Sequence, residues 1–383
     1  MATVFIKKTT YADDDLQPVV FDLLAQLGSR GLTAGSRILV KPNLLMPAAP
    51  ETAITTHPLV VKAVVAYLNQ NGGKPLIADS PPVGGFHRFM KKGGYAEALA
   101  GLDYAMRPLR ETVTVDIGEP FGRIDLAAEA VQADVIINLA KLKTHTMMGL
   151  TLGVKNMFGC VIGLEKPKWH LRAGADRTLF ARLLLQIHDV LAPAVTLVDG
   201  VLAMEGQGPG KSGTPRVLSR MVGGDDAVAV DMAVCKLLGL DPARLPTHQA
   251  AMQRERVPPA VHIQGEVDML SDFVFPELDE AATGLRFWQR VLRKRLIQRP
   301  VVDNRACKLC GECWQYCPAK AIRHSIRGIS FDYDACIRCY CCLEICPYGA
   351  ISARRPLLGR MVDRVRCGGF SATGRGGFRN ADG

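Results

Sequence analysis

Two stretches of the chain have the residue types and the spacing of chemistry. The first is written twice. "CKLCGECWQYCP" sets Cys307, Cys310, Cys313 and Cys317 ahead of Pro318, and "CIRCYCCLEICP" sets Cys336, Cys339, Cys342 and Cys346 ahead of Pro347. The copies are offset by 29 residues, and the same offset lays "CPAKAI" on "CPYGAI", so the segment is an internal repeat. Thiolates spaced C-x2-C-x2-C wrap one face of a cubane iron–sulfur core, while the last cysteine, turned away by its proline, reaches the other core. The spacing predicts two ligand sets, Cys307, Cys310 and Cys313 with Cys346, and Cys336, Cys339 and Cys342 with Cys317. Pairs of C-x2-C also make tetrahedral zinc sites, but zinc rarely uses two complete copies of the longer run. Cys341, next to Cys342, is read as a bystander thiol or a spare ligand.

The second stretch is "LAKLKTHTMMGLTLGVKNMFG", residues 139–159. It carries Lys141, Lys143, His145 and Lys155, and no carboxylate stands between Asp134 and Glu165. So much positive charge among apolar residues calls for a counter-charge from elsewhere. If Lys141, Lys143 and Lys155 project from a strand end and the loop after it, beside His145 and Asn156, they can surround a carboxylate or phosphate. Lys41, Asn43 and Thr56 would complete the cradle. The competing expectation pairs the lysines with Asp79, Asp199 or Glu205. Those acids with His57 and His145 could hold a metal, yet no ligand spacing supports it, and hydrogen-bonded edge residues fit better.

Other signals are weaker. "EGQGPGKSG" misses the phosphate-loop pattern because Glu205 stands where glycine is required, and it reads as a mobile loop or lid. No G-x-G-x-x-G follows a strand, and no flavin motif is visible, so nicotinamide, flavin and ATP are not expected. Asp225, Asp226 and Asp231 fit a helix start and a helix face. Cys160 and Cys235 read as core residues, and Cys367 as a tail residue.

These residues need elements to position them. "RILV", "KPLIA", "DVIIN" and "VTLV" are short apolar runs ending in polar residues, as buried parallel strands do. Helical patterns lie between them, such as "HPLVVKAVVAYLNQNGG", with Pro58 in the first turn and Gly72 and Gly73 as a stop. The alternation predicts an α/β fold, a mostly parallel sheet sandwiched by helices, with its polar groups gathered at the carboxyl edge. This domain is expected over residues 1–270 and a basic helical connector, with Phe287, Trp288, Val291 and Leu292 on its packing face, over 271–300. A small α+β cysteine domain should occupy 301–352, and the Gly/Arg-rich tail 353–383 has too little apolar surface to fold alone.

Composition sets outer bounds. A formal charge of +10 suggests nucleic acid or a membrane surface. Eight ligating thiolates on two oxidised cores would bring it to about +6, which makes nucleic acid an unlikely partner. Twelve cysteines without an export signal argue for metal ligation in a reducing, cytoplasmic setting. No apolar run approaches the roughly 20 residues of a membrane span.

The duplicated cysteine segment resembles a bacterial two-cluster [4Fe-4S] ferredoxin, which implies low-potential one-electron transfer. "VKPNLL", "THPLVVKAV", "ADSP", "NLAKLKTHTMMGLTLGVKNMFG", "VDGVLAMEGQGP" and "DDAVAVDMAVCKLLG" together resemble the uncharacterised family called domain of unknown function 362. That resemblance implies an association with iron–sulfur modules and no agreed reaction. The favoured reading is a ferredoxin-linked oxidoreductase acting on an anionic small molecule, served by a redox partner protein. One alternative is an electron carrier whose α/β domain docks a partner enzyme. Another is a non-redox enzyme with structural or sensing clusters.

Overall fold

The computed structural model describes residues 1–28, 35–82, 85–270, 272–276 and 297–356. The expected connector helix with Phe287, Trp288, Val291 and Leu292, and all of the tail beyond residue 356, lie outside the described residues.

The larger module is built on a 9-stranded sheet. Its strands are β1 (Ala2–Lys8), β2 (Ile38–Pro42), β3 (Leu76–Ile77) and β4 (Ala105–Met106), then, past a separate hairpin of β5 (Thr112–Asp116) and β6 (Arg123–Ala127), β7 (Val135–His145), β8 (Gly149–Thr151), β9 (Val195–Gly206), β10 (Gly213–Gly224) and β11 (Val261–Gly265). The order is β11-β1-β10-β9-β7-β2-β3-β4, with β8 folded back on β7. Pairings β11/β1, β9/β7, β7/β2, β2/β3 and β3/β4 are parallel, and β10 enters antiparallel between β1 and β9.

Alternation along β7 shows why helices must cover both faces. Val135, Ile137 and Leu139 join the buried cluster of helices Asp13–Gln26 and Pro58–Gln70. Ala140 and Leu142 point the other way, into the cluster of helix Ala227–Leu237. The anticipated helix signals hold: Pro58 opens its helix behind the His57 cap, and Gly72 follows its end in a left-handed conformation. Asp226 caps the Ala227–Leu237 helix, as expected of a helix-start carboxylate.

The strands run further than their apolar runs. β7 continues to His145 and β9 to Gly206, so Lys141, Lys143 and His145 lie inside a strand instead of in a loop beyond it. All three are buried.

The smaller module keeps its repeat in three dimensions. β12 (Arg299–Val302) pairs antiparallel with β15 (Ile351–Arg354), and β13 (Ile322–Ser325) with β14 (Gly328–Phe331). Left-handed residues recur at the repeat offset: Leu309 with Arg338, Gly311 with Tyr340, and Lys320 with Gly349. The 205–213 segment, expected to be a mobile lid, is instead fastened between the modules. Gln207 exchanges hydrogen bonds with the Ala353 backbone (2.9 and 3.0 Å), Ser212 Oγ donates to Ile351 O (3.1 Å), and a Cβ on Gly210 would lie 3.0 Å from Glu344 O. Glycine is needed there because the two backbones approach so closely.

Candidate functional site at the joint between the modules

In the smaller module, thiols converge on two hollows. Cys307, Cys310, Cys313 and Cys346 wall one of them, with Trp314, Ile329 and Ile351. Cys317, Cys336, Cys339 and Cys342 wall the other, with Cys341, Ile322 and Phe331. Burial and the neighbouring Cys346, Cys310 and Cys307 push the Cys313 thiol up to about 12. Crowded thiols in an apolar hollow resist ionising, and a bound cationic core reverses that preference. The backbone N–H groups of Ala321 and Ala350 lie 3.3 Å from Cys317 Sγ and Cys346 Sγ, where they favour thiolate. The donor sets therefore suit the iron–sulfur cores that the spacing predicts.

The lysines of the larger module divide into two groups. Lys141 Nζ lies 2.7 Å from Asp199 Oδ2 and 3.1 Å from Tyr11 Oη, and Tyr11 donates to Asp199 Oδ1 at 2.8 Å. Lys143 Nζ donates to Ile54 O at 2.6 Å; burial, aided by Lys155, lowers its pKa to about 7. Both lysines are buried and neither lines the cavity between the modules, so the expected cradle is corrected here. Lys141 takes the counter-charge the competing expectation gave it, because parallel pairing puts Lys141 and Asp199 in register on β7 and β9.

Three other candidates serve the scaffold. Thr56 Oγ1 accepts from Asn43 N (2.9 Å) and donates to Leu139 O (2.8 Å). His57 caps its helix through Nδ1 and stacks on Tyr11 with ring centroids 3.6 Å apart. Glu205 pairs with Arg216 at 3.2 Å and accepts from Val274 N at 3.1 Å, away from the lysines.

The remaining candidates meet at a cavity of ≈ 80 Å³ between the modules. Lys41, Asn43, Asp79, Lys155 and Asn156 line it, as do Thr151, Lys166, His170, Tyr316, Cys341 and Glu344, which sequence reasoning missed. Asp79 is fully engaged: it pairs with Lys41 at 3.0 Å and accepts from Leu44 N and Ser80 N at 2.8 and 2.7 Å. Lys166 donates to Ser80 O, and burial brings its pKa down to about 8 against the pull of Asp79. Asp231 accepts from Gly153 N (2.8 Å) and Val154 N (3.3 Å), fixing the short helix Gly153–Asn156 that presents Lys155 and Asn156. The helix-face role expected of Asp231 thus gains a specific task.

Lys155 differs from the other lysines. Half-buried and facing the cavity, it makes no hydrogen bond or ion pair among the described residues. Burial lowers its pKa, and the Glu344 carboxylate draws it back up. Around it, Asn43 Oδ1, Thr151 Oγ1 and His170 Nδ1 are buried without partners. His145 stands behind Glu344: its Nδ1 accepts from Met147 N (3.1 Å), and its Nε2 lies 2.9 Å from Glu344 Oε1, though the ring N–H points off that line. Burial and Lys155 lower the imidazole to about 4, so at neutral pH it is an uncharged ring beside a carboxylate.

Residues 38–236 match the family described as Domain of unknown function (DUF362). The chain belongs to this family. Residues 299–347 match a 4Fe-4S dicluster domain, so this DUF362 protein carries an iron–sulfur ferredoxin-type module. It is 37% identical over 251 residues to a thylakoid-associated protein of Synechocystis sp., covering 65% of this chain and 78% of that one. The cysteine module alone is 40% identical over 58 residues to the pyruvate synthase subunit PorD of Methanocaldococcus jannaschii, 15% of this chain and 67% of the relative. It is also 37% identical over 49 residues to the delta subunit of the NADH-dependent phenylglyoxylate dehydrogenase of Aromatoleum evansii, 13% and 53% of the two chains. No helix among the described residues is long and apolar enough to cross a membrane.

Proposed function

We propose that the chain is a ferredoxin-linked oxidoreductase that acts on a small monoanion held in the cavity between its modules. The observation that carries this reading is Lys155, a lysine without a partner among the described residues, at a cavity beside the cysteine module. Lys41 is paired with Asp79 and Lys166 donates to Ser80 O, so Lys155 is the cavity lysine left to meet a ligand. A cavity of ≈ 80 Å³ has room for a small ligand.

Two [4Fe-4S] clusters, held by the ligand sets predicted from spacing, supply one-electron transfer when bound. The chain's own side chains do the rest. Lys155 binds and orients the anion; the Thr151 hydroxyl and His170 Nδ1 are free to meet its polar atoms. Lys166, with a pKa near 8, can hold or release a proton at Nζ close to neutral pH. Packing of the smaller module over the cavity limits water and strengthens each of these contacts.

The likeness of the cysteine module to oxidoreductase subunits favours a redox partner protein, and by itself would suit an electron carrier. A carrier, however, leaves the unpartnered lysine without a task. Titrating the anaerobic holoprotein with formate, acetate, glycolate and phosphate while following thermal unfolding tests the reading. Saturable stabilisation by at least one monoanion is expected in wild type and its loss in Lys155→Met; no stabilisation by any of them would defeat the proposal.

A further inference from the structure

The two cysteine hollows differ in what they touch. Cys341 lines both the cavity and the hollow of Cys317, Cys336, Cys339 and Cys342. Among the described residues, the hollow of Cys307, Cys310, Cys313 and Cys346 shares no wall residue with the cavity. Chain neighbours of both hollows reach the cavity, Tyr316 beside Cys317 and Ile345 beside Cys346, so the shared wall residue Cys341 is what tells the hollows apart.

Exposure points the opposite way. Each hollow has two buried ligand candidates, Cys313 and Cys346 in one and Cys339 and Cys342 in the other; they differ at Cys310, which is exposed beside Leu309 and Tyr348 at 37% and 49%, whereas Cys317 and Cys336 are half-buried. One hollow shares a wall residue with the cavity, and the other carries the exposed cysteine.

Resting on the cavity reading above, we infer that the smaller module is electrically polar. The hollow of Cys317, Cys336, Cys339 and Cys342 is the one that exchanges electrons with the cavity, through the wall made by Cys341. The hollow of Cys307, Cys310, Cys313 and Cys346, with its exposed Cys310, is the one that exchanges electrons with an external one-electron carrier protein. In each passage that partner loses one electron and the bound anion gains one, or the reverse; no atom is transferred. Electron tunnelling falls steeply with distance, so a shared wall on one side and an exposed cysteine on the other give the module its direction. The inference also gives Cys341 a place: it is a wall residue between ligand shell and cavity, which explains a non-ligating thiol in the middle of the repeat.

Two measurements on the dithionite-reduced holoprotein test this without any cavity ligand. The paramagnetic signals of the two clusters are first assigned with Cys313→Ser and Cys342→Ser. A water-soluble paramagnetic chelate added to wild type should then speed relaxation of the Cys313-side signal at least several-fold more than that of the Cys342-side signal. In a redox titration, Lys155→Met should move the Cys342-side cluster to lower potential, since a nearby positive charge is lost, and leave the other almost unmoved. Equal relaxation of both signals, preferential relaxation of the Cys342-side signal, or an equal or larger potential shift on the Cys313 side would overturn the inference. The wild-type measurement stands even if the variant does not fold. Because neither readout uses an anion, such a failure leaves the anion site standing, and failure of the anion site leaves the polarity measurable.

Discussion

His145 Nε2 on β7 lies 2.9 Å from Glu344 Oε1 on the short helix Cys341–Glu344, across the joint between the two modules. The relationship answers the question raised by residues 139–159. Their missing carboxylates come from other parts of the chain: Asp199 for Lys141, and Glu344, from inside the second cysteine run, for the surroundings of His145 and Lys155. The smaller module completes the electrostatics of the larger one.

Two substitutions at the cavity should act in opposite directions. Lys155→Met removes a charge-assisted contact worth roughly 1.5–3 kcal/mol, so monoanion affinity should drop by about one to two decades. Glu344→Gln removes a repelling carboxylate and should tighten the same anion. Calorimetric titration of the two holoproteins checks the signs; matching directions would break the account.

Gly159 is the one position where space alone decides the Lys41–Asp79 pair. A Cβ there would press on Asp79 Oδ1 and on Lys41 Nζ, both buried. Separating a buried ion pair costs up to roughly 3–5 kcal/mol. Gly159→Ala should therefore lower the denaturant midpoint markedly, whereas Gly122→Ala, where a Cβ meets nothing within 4 Å, should cost only the roughly 1–2 kcal/mol of a left-handed alanine at φ 66°.

Lys143 gives a pH signature. Its folded pKa is lowered to about 7 from 10.5 by burial, so between those values the folded side chain is neutral while the unfolded one is still protonated. The unfolded state then binds more protons, and stability from this group rises with pH over that window, by roughly 1.4 kcal/mol per unit at most. Replacing it by methionine removes the dependence. Wild type should gain on Lys143→Met between pH 7 and 10 in thermal unfolding, and a constant difference would refute the assignment.

Iron content checks the crossed ligand sets. Anaerobically reconstituted protein should bind about eight iron and eight sulfide per chain. Cys317→Ser should damage the cluster of Cys336, Cys339 and Cys342 first, seen as loss of one of two paramagnetic signals. Loss of the Cys307, Cys310 and Cys313 cluster alone would reverse the assignment.

The sequence carried the repeat, the parallel strands and the helix caps because each depends on local spacing. Apolar runs marked where β2, β3, β7 and β9 begin, yet not how far β7 and β9 extend, since Lys141, Lys143 and Asp199 are buried polar residues whose partners lie on neighbouring strands. Lys41, Asn43 and Asp79 were legible as candidates through their strand-end positions, and Lys155 and Asn156 through the basic stretch that follows β7. Lys166, His170, Tyr316 and Glu344 were not, because they reach the cavity only after two modules pack together. The glycine-rich 205–213 segment was misread for the same reason: composition suggests mobility, while Gln207 and Ser212 bind a strand far along the chain.

The most direct test of the anion site at the joint is anomalous diffraction from anaerobic crystals of the holoprotein soaked in bromide. A bromide in contact with Lys155 Nζ, within the cavity walled by Cys341 and Tyr316, and lost in Lys155→Met, is the predicted result. A cavity free of bromide in wild type while surface sites fill, or a bromide that persists in the variant, would contradict the account.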